Sequence, residues 1–234
     1  MNTSDAPLEN TKETILKSTR VWDWPVRISH WAIALSVLMC YGTAEYGWLD
    51  MQWHFYFGYS VLCLTVFRLL WGIFGSEHAR FSDFVRGPGT IIQYLRGKLP
   101  IRLGHNPLGA LSVILLLALL LAQSISGLFN SDDIMWYGPF NESVSAKVAD
   151  FMSDVHERGE NLLLLAIGLH IAAIAFHLLV KRENLITPML TGRTQSDQPD
   201  ARWVPIWRAV LLFAIVVTAL WALITFWPKP ELLY

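Results

Sequence analysis

Five long apolar runs separate shorter polar segments along the chain, and each is close to the 20 or so residues that a helix needs to cross a bilayer. They cover residues 29–48, 53–74, 107–129, 160–180 and 205–227. Charged residues fall mainly between the runs. The pattern predicts an all-α integral membrane protein whose five spanning helices form one bundle, preceded by a polar N-terminal arm.

The composition agrees with that pattern, because 53% of the 234 residues are hydrophobic, only 16% are charged, and the mean hydropathy is +0.38. Many of the eleven Trp residues lie near the ends of the runs, as in an aromatic belt at two membrane interfaces. The first run lacks a small-x-small cleavage site, so we interpret it as a retained helix. Cys40 and Cys63 lie inside apolar runs, which indicates packing roles, and no CxxCH motif is present, which excludes covalent c-type haem attachment.

Basic residues alternate between the two sides of the predicted bundle. They are frequent in the N-terminal arm and in the second and fourth connections, whereas the first connection has none and the third, residues 130–160, is acidic. The positive-inside rule therefore places the N-terminus in the cytoplasm and, after five crossings, the C-terminus in the periplasm or its equivalent. The acidic third connection is expected on the periplasmic side.

Three further expectations concern the connections. Residues 143–155 have the composition of a helix that leads into the fourth span, with Ser143 or Ser145 as its N-cap. The segment RGPGT at 86–90 predicts a cytoplasmic turn. His78 is expected to be a solvated loop residue.

Histidines inside apolar helices are costly, and several in register point to a function. His156 and His170 are fourteen residues apart in the fourth run, which places them within about 40° on one helix face and roughly 21 Å apart along the axis. This spacing predicts two sites at different depths. With the alternating directions of the spans, His54 matches the depth of His156, and His30 matches that of His170.

Two neutral imidazoles on facing helices can clamp a flat iron porphyrin in the dry core of a bundle. The two matched pairs therefore predict two bis-His haems b, one near each membrane face. Gly58, one turn after His54, would let a porphyrin face approach the backbone. Arg68 is expected to bind a haem propionate or a quinone head group, unless it is an arginine that snorkels at a helix end.

His177, His105 and a partial HExxH motif are further candidate ligands. His177 shares the face of His170 but lies about 31 Å from His156, the whole hydrocarbon thickness, so we expect a quinone or propionate contact or a simple interfacial residue. We expect the same of His105, which lies just before the third run: a quinone or propionate contact, or a simple interfacial residue. The HExxH zinc motif is excluded, because Glu160 stands where its second His should be.

These motifs resemble the bacterial cytochrome b561 and nickel-iron hydrogenase b-type cytochrome superfamily over residues 20–190. The shared patterns are RISHW, HFYFG followed by Arg68, HNPLGA, GLF before DDI, and VHE, GLH and a later His. The resemblance implies His30, His54, His156 and His170 as the haem ligands. It also implies a four-helix haem-binding bundle at residues 21–190, between the arm at 1–20 and a linker with a fifth C-terminal helix at 191–234.

The resemblance further implies an electron-transfer subunit of a quinone-linked oxidoreductase in the bacterial inner membrane, exchanging electrons with a periplasmic hydrogenase or c-type cytochrome. Similarity to formate dehydrogenase cytochrome subunits suggests quinone contacts at Asn106, His105, Arg68 and His177. The acidic third connection is a candidate platform for a basic partner.

Several alternatives stay open. One is a self-contained oxidoreductase that passes electrons from a small donor such as superoxide to quinone. Another is a non-haem transporter that uses its histidines for protons or metal. No nucleic-acid partner is expected, and the fifth helix leaves open the assembly with other subunits or as a homo-oligomer.

Overall fold

A computed structural model describes residues 16–98, 103–132 and 134–227. Most of the predicted arm at 1–20 and the C-terminal tail therefore lie outside the described residues. The elements follow in chain order: β1 (Lys17–Arg20), α1 (Trp24–Tyr46), α2 (Met51–Phe74), α3 (Phe81–Phe84), α4 (Pro88–Leu95), α5 (Pro107–Gly127), α6 (Ala146–Leu179), α7 (Ile186–Thr191), β2 (Arg193–Ser196) and α8 (Ile206–Phe226).

Five of these helices are long, and four of them are apolar enough to cross a membrane: α2, α5, α6 and α8. The chain is thus a multi-pass helical membrane protein. The other long helix, α1, has 23 residues, but polar side chains such as Arg27, His30 and Glu45 lower its hydropathy. That α1 is a fifth span stays a prediction.

The four helices α1, α2, α5 and α6 pack in sequence order, with α1 against α2, α2 against α5, and α5 against α6. The close backbone contacts of α6 are mainly with α5. As a result α6 faces α1 and α2 across the interior of the bundle chiefly through side chains. The fifth long helix, α8, packs on α2, where Phe213 meets Phe67 edge to face.

The segment at 193–205, which connects α7 to α8, is held to the rest of the structure by backbone hydrogen bonds. Strands β1 and β2 pair antiparallel, with Lys17 opposite Ser196 and Arg20 opposite Arg193. Beyond β2, the backbone of Arg202 exchanges hydrogen bonds with Glu77, and its N–H holds the pKa of the Glu77 carboxyl below its ordinary value. The end of the predicted arm is therefore joined to the predicted linker in a small sheet.

The connections confirm one local expectation and correct two. Ser145 is the N-cap of α6, which then continues without a break for 34 residues. The RGPGT segment is not a turn throughout, because Gly87 caps α4 and Pro88 begins it. His78 is not a freely solvated loop residue: its side chain is only 14% exposed, its Nδ1 lies 2.9 Å from Asp83 Oδ2, and its ring packs edge-on against Trp22.

The start of α1 is tied to α2 by a buried side-chain hydrogen bond. Asp23 caps α1 by accepting from Val26 N at 2.9 Å, and its other oxygen accepts from Trp71 Nε1 at 2.9 Å. We expect Trp71→Phe to lower the free energy of unfolding by roughly 1.5–3 kcal/mol, because it removes a bond to a buried carboxylate. Denaturant unfolding in detergent measures the loss, and Trp221→Phe, at a 61% exposed position, is the control expected to show none.

Candidate functional site

Four of the seven histidines face one another as two pairs inside the bundle. The rings of His30 on α1 and His170 on α6 have centroids 6.4 Å apart. The rings of His54 on α2 and His156 on α6 have centroids 6.2 Å apart. The structure therefore brings together the two pairs that the sequence predicted, and we refer to the two ends of the bundle as the His30 end and the His54 end.

The spacing within each pair suits a metal ion held between two rings. A nitrogen–metal bond of about 2 Å on each side, with roughly 1.1 Å more from each nitrogen to its ring centre, gives centroids about 6.3 Å apart. Both observed distances agree with this value. The residues present thus fit the bis-His ligation of a haem iron.

The backbone fixes the tautomers of the pair at the His54 end. His54 Nδ1 lies 3.0 Å from the carbonyl oxygen of Cys40, and His156 Nδ1 lies 3.0 Å from that of Gln123. A carbonyl oxygen only accepts hydrogen bonds, so each Nδ1 carries the proton and donates it. The lone pair of each neutral ring is then on Nε2, which is the nitrogen left for a metal.

The pair at the His30 end is held less tightly. His170 Nδ1 lies 3.4 Å from Ser112 Oγ. His30 Nδ1 is buried and has no hydrogen-bond partner among the described residues, while the His30 ring meets Trp31 edge-on at 5.0 Å between centroids. Packing more than hydrogen bonding therefore orients His30.

An apolar layer separates the two pairs. Val61 of α2, Leu120 of α5 and Leu163 of α6 form its buried centre, and Ile33 and Val37 of α1 pack against them. Leu163 lies between His156 and His170 along α6, and the other residues of the layer pack around it. The layer excludes water from the middle of the bundle and leaves two sites at separate depths.

Arg68 of α2 lies at the His30 end, one turn before Trp71. Its side chain is buried, and its Nη1 atom has no hydrogen-bond partner among the described residues. The alternative that Arg68 snorkels to the surface is therefore wrong. A buried guanidinium with a free donor fits an anionic ligand group such as a propionate.

His105 and Asn106 lie at the start of α5. His105 is enclosed between Trp22 and Phe84, with ring centroids at 4.6 and 4.4 Å. Burial, followed by the charge of Arg68, lowers the pKa of His105 to about 3, so the ring is neutral. The side chain of Asn106 caps α5 by accepting from Gly109 N at 2.8 Å.

The two remaining predicted positions take no part in the ring contacts of the two pairs. His177 Nδ1 lies 2.7 Å from Glu183 Oε2 near the C-terminal end of α6. A Cβ atom at Gly58 would meet nothing within 4 Å, so space is open beside α2 at that turn. The roles suggested for both residues stay predictions.

Three residues of α5 that were not predicted from the sequence support His156. Ser126 Oγ lies 3.2 Å from His156 Nδ1, and Gln123 Nε2 donates to the His156 carbonyl at 2.9 Å. Gly127 provides room, because a Cβ there would lie 2.8 Å from His156 Cε1. The available signal was the polar segment QSISG at 123–127 inside an otherwise apolar helix.

Comparison with known families identifies a match along most of the chain. Residues 21–192 match the family model described as prokaryotic cytochrome b561. The match covers α1 to α7 and therefore all four paired histidines, and it ends just before β2. Searches of curated proteins and of solved structures gave no match.

Proposed function

The chain belongs to the prokaryotic cytochrome b561 family, and from this premise we propose that it carries electrons across the bacterial inner membrane through two haems b. Family membership implies electron transport by b-type haem within the membrane. The number of haems is our inference, and the observation that carries it is the occurrence of two His pairs at 6.2 and 6.4 Å, on either side of an apolar layer.

In this proposal His54 and His156 hold one haem, and His30 and His170 hold the other. Haem b supplies a one-electron ferric–ferrous couple when bound. The chain orients the His54 and His156 rings, which would hold the haem, through the carbonyl groups of Cys40 and Gln123, keeps water from the core, and places the Arg68 charge at the His30 end. Burial and local charge are the means by which a protein sets haem potentials.

We further propose that the His54 end faces the periplasm and a redox partner there, a hydrogenase or a c-type cytochrome. The distribution of basic residues supports this orientation. A row of aromatic rings leads inward from the surface loop: Trp136 lies 6.2 Å from Phe55, and Phe55 lies 6.3 Å from His54. The row offers an apolar path between a docked partner and the ligand.

The same loop is shaped for contact with a partner. The Asp132 carboxylate accepts from the backbone N–H groups of Ile134, Met135 and Trp136, which lowers its pKa and keeps it charged. Ile134 and Met135 are 84% and 68% exposed. An apolar tip beside acidic residues suits a partner with a basic rim around an apolar patch.

The test uses purified holoprotein in lipid vesicles. A short-chain quinol is added first and a basic c-type cytochrome second, while the haem absorbance is followed. We expect the quinol to reduce the haem and the cytochrome to reoxidise it. A haem that no quinol reduces would contradict the proposal. Reduction of quinone by superoxide without a partner would favour the self-contained oxidoreductase instead.

Gly127 allows a local test of the His54-end haem. Gly127→Ala would place a methyl group 2.8 Å from His156 Cε1, so we expect the His156 ring to turn and the haem that it ligates to change. Electron paramagnetic resonance of the oxidised protein should show altered g values for one haem only. Gly168→Ala, where a Cβ meets open space, is the control, and equal spectra for the two variants would contradict this assignment.

A further inference from the structure

An open cavity of about 250 Å³ lies at the His30 end, between the end of α2 and the start of α8. The residues that line it are Gly75, Glu77, Arg80, Arg202, Trp203 and Val204. Both α2, which ends at Phe74, and α8, which begins at Ile206, are long and apolar enough to cross a membrane. The cavity therefore lies where two spans reach the bilayer surface, at the depth of the lipid head groups.

Hydrogen bonds between two chain segments fix the walls of this cavity. The Glu77 N–H donates to the Arg202 carbonyl at 3.0 Å, and the Arg202 N–H donates to Glu77 Oε2 at 3.0 Å. The Val204 N–H donates to Ser76 Oγ, also at 3.0 Å. The fold thus shapes the cavity before any ligand enters, which lowers the cost of binding.

Each of the two segments brings to the cavity one nitrogen donor that has no partner. Arg80 Nε and Trp203 Nε1 are both buried, and neither has a hydrogen-bond partner among the described residues. Buried donors are nearly always hydrogen-bonded in folded proteins. Two such donors in residues that line one cavity therefore point to a ligand that accepts hydrogen bonds.

The charges around the cavity favour an anionic ligand. The Glu77 carboxylate is paired with Arg202, whose Nε lies 3.5 Å from Oε2. Arg20, which lies over the indole of the cavity at 5.3 Å, is paired with Asp200. Arg80 has no ion-pair partner in the part of the chain that the structure describes. Its unbalanced guanidinium, together with the indole N–H, suits the oxygens of a phosphate group.

Exposed apolar side chains flank the two segments on the membrane side. Phe74, at the end of α2, is 64% exposed, and Ile206 and Trp207, in the first turn of α8, are 57% and 58% exposed. In a bilayer these side chains would lie against acyl chains and the interface. A soluble phosphate compound would make no use of them, so the surroundings favour a phosphate carried by a lipid.

We propose that this cavity binds the phosphate group of an anionic glycerophospholipid. Arg80 and the Trp203 N–H donate to the phosphate oxygens, and the acyl chains lie beside the ends of α2 and α8. One wall of the cavity lies beyond residue 192, where the family match ends, so the bound lipid joins α8 to the bundle. The inference needs only the membrane location of the chain and is independent of the proposed electron transfer.

The experiment measures lipid binding to delipidated holoprotein in detergent by native mass spectrometry, with phosphatidylglycerol, phosphatidylcholine and glycerol phosphate as probes. Arg80→Gln removes the charge, and Trp203→Phe removes one donor but keeps an aromatic ring. We expect the Kd for phosphatidylglycerol to rise about tenfold in the first variant and about threefold in the second, because a charge-assisted hydrogen bond is roughly twice as strong as a neutral one. Arg86→Gln is the matched control, since it removes the same charge from an exposed side chain that does not line the cavity, and it should bind as the wild type does.

Three results would overturn the inference. If Arg80→Gln and Trp203→Phe bind phosphatidylglycerol as tightly as Arg86→Gln, the cavity is not the site. If the wild type binds phosphatidylcholine as tightly as phosphatidylglycerol, the site does not select an anionic lipid. If glycerol phosphate binds as tightly as the lipid, the cavity holds a soluble phosphate compound. An unchanged haem spectrum shows that each variant is folded, and if one variant loses its fold, the other decides the question.

Discussion

Replacing His54 or His156 with alanine is expected to remove one haem and leave the other in place. The two rings face each other at 6.2 Å, and the second pair lies beyond the layer formed by Val61, Leu120 and Leu163. Because the pairs share no residue, loss of one ligand should empty one site only. The haem content of purified protein, measured by absorbance after extraction, should fall from two per chain to one.

His177→Ala is the matched control for these variants. His177 is also a histidine of α6, but its Nδ1 pairs with Glu183 and not with another imidazole. We expect this variant to keep both haems. If the His54 and His156 variants also kept two haems per chain, the pairing of ligands would be wrong.

Replacing Arg68 with methionine is expected to lower the midpoint potential of the haem at the His30 end. A positive charge favours the reduced haem, which carries one positive charge fewer than the oxidised haem. A unit charge at about 10 Å contributes roughly 1.7 kcal/mol at an effective dielectric constant of 20, or roughly 70 mV for a one-electron couple. Potentiometric titration followed by absorbance measures the shift of each haem.

Two further variants show whether the charge of Arg68 is the cause. Arg68→Lys keeps the charge and should restore most of the potential, whereas Arg202→Ala removes a positive charge from an exposed side chain at the same end and should change little. The account of Arg68 is contradicted if the methionine variant leaves both potentials unchanged, or if both haems shift by the same amount.

Helix periodicity explains why the paired histidines could be predicted from sequence. In a long continuous helix such as α6, a separation of fourteen residues fixes both the face and the depth, so the relation of His156 to His170 followed from geometry. The match to His54 and His30 needed only the alternation of spans. Membrane helices are regular enough for such arguments because every backbone group in lipid must be hydrogen-bonded internally.

Features that depend on contacts between distant segments could not be predicted in this way. The pairing of β1 with β2 joins residues that lie more than 170 positions apart. The partial burial of His78 depends on its contacts with Asp83 and Trp22. None of these contacts leaves a periodic pattern in the sequence.

The supporting residues around His156 fall between these two cases. Ser126 and Gly127 are unusual in an apolar helix, so their presence marks a special position in α5. Which histidine they support depends on the register between α5 and α6, which only the packed structure defines. The polar segment could therefore be noticed from the sequence, but the histidine that it supports could not be identified.

The number of haems per chain tests the central claim most directly. Purified protein, with its concentration determined by amino-acid analysis, is assayed for haem b by the reduced-minus-oxidised spectrum after extraction. Two bis-His sites predict two haems b per chain and a low-spin spectrum. One haem per chain would contradict the two-site account, and no haem in carefully purified protein would contradict the proposed function as a whole.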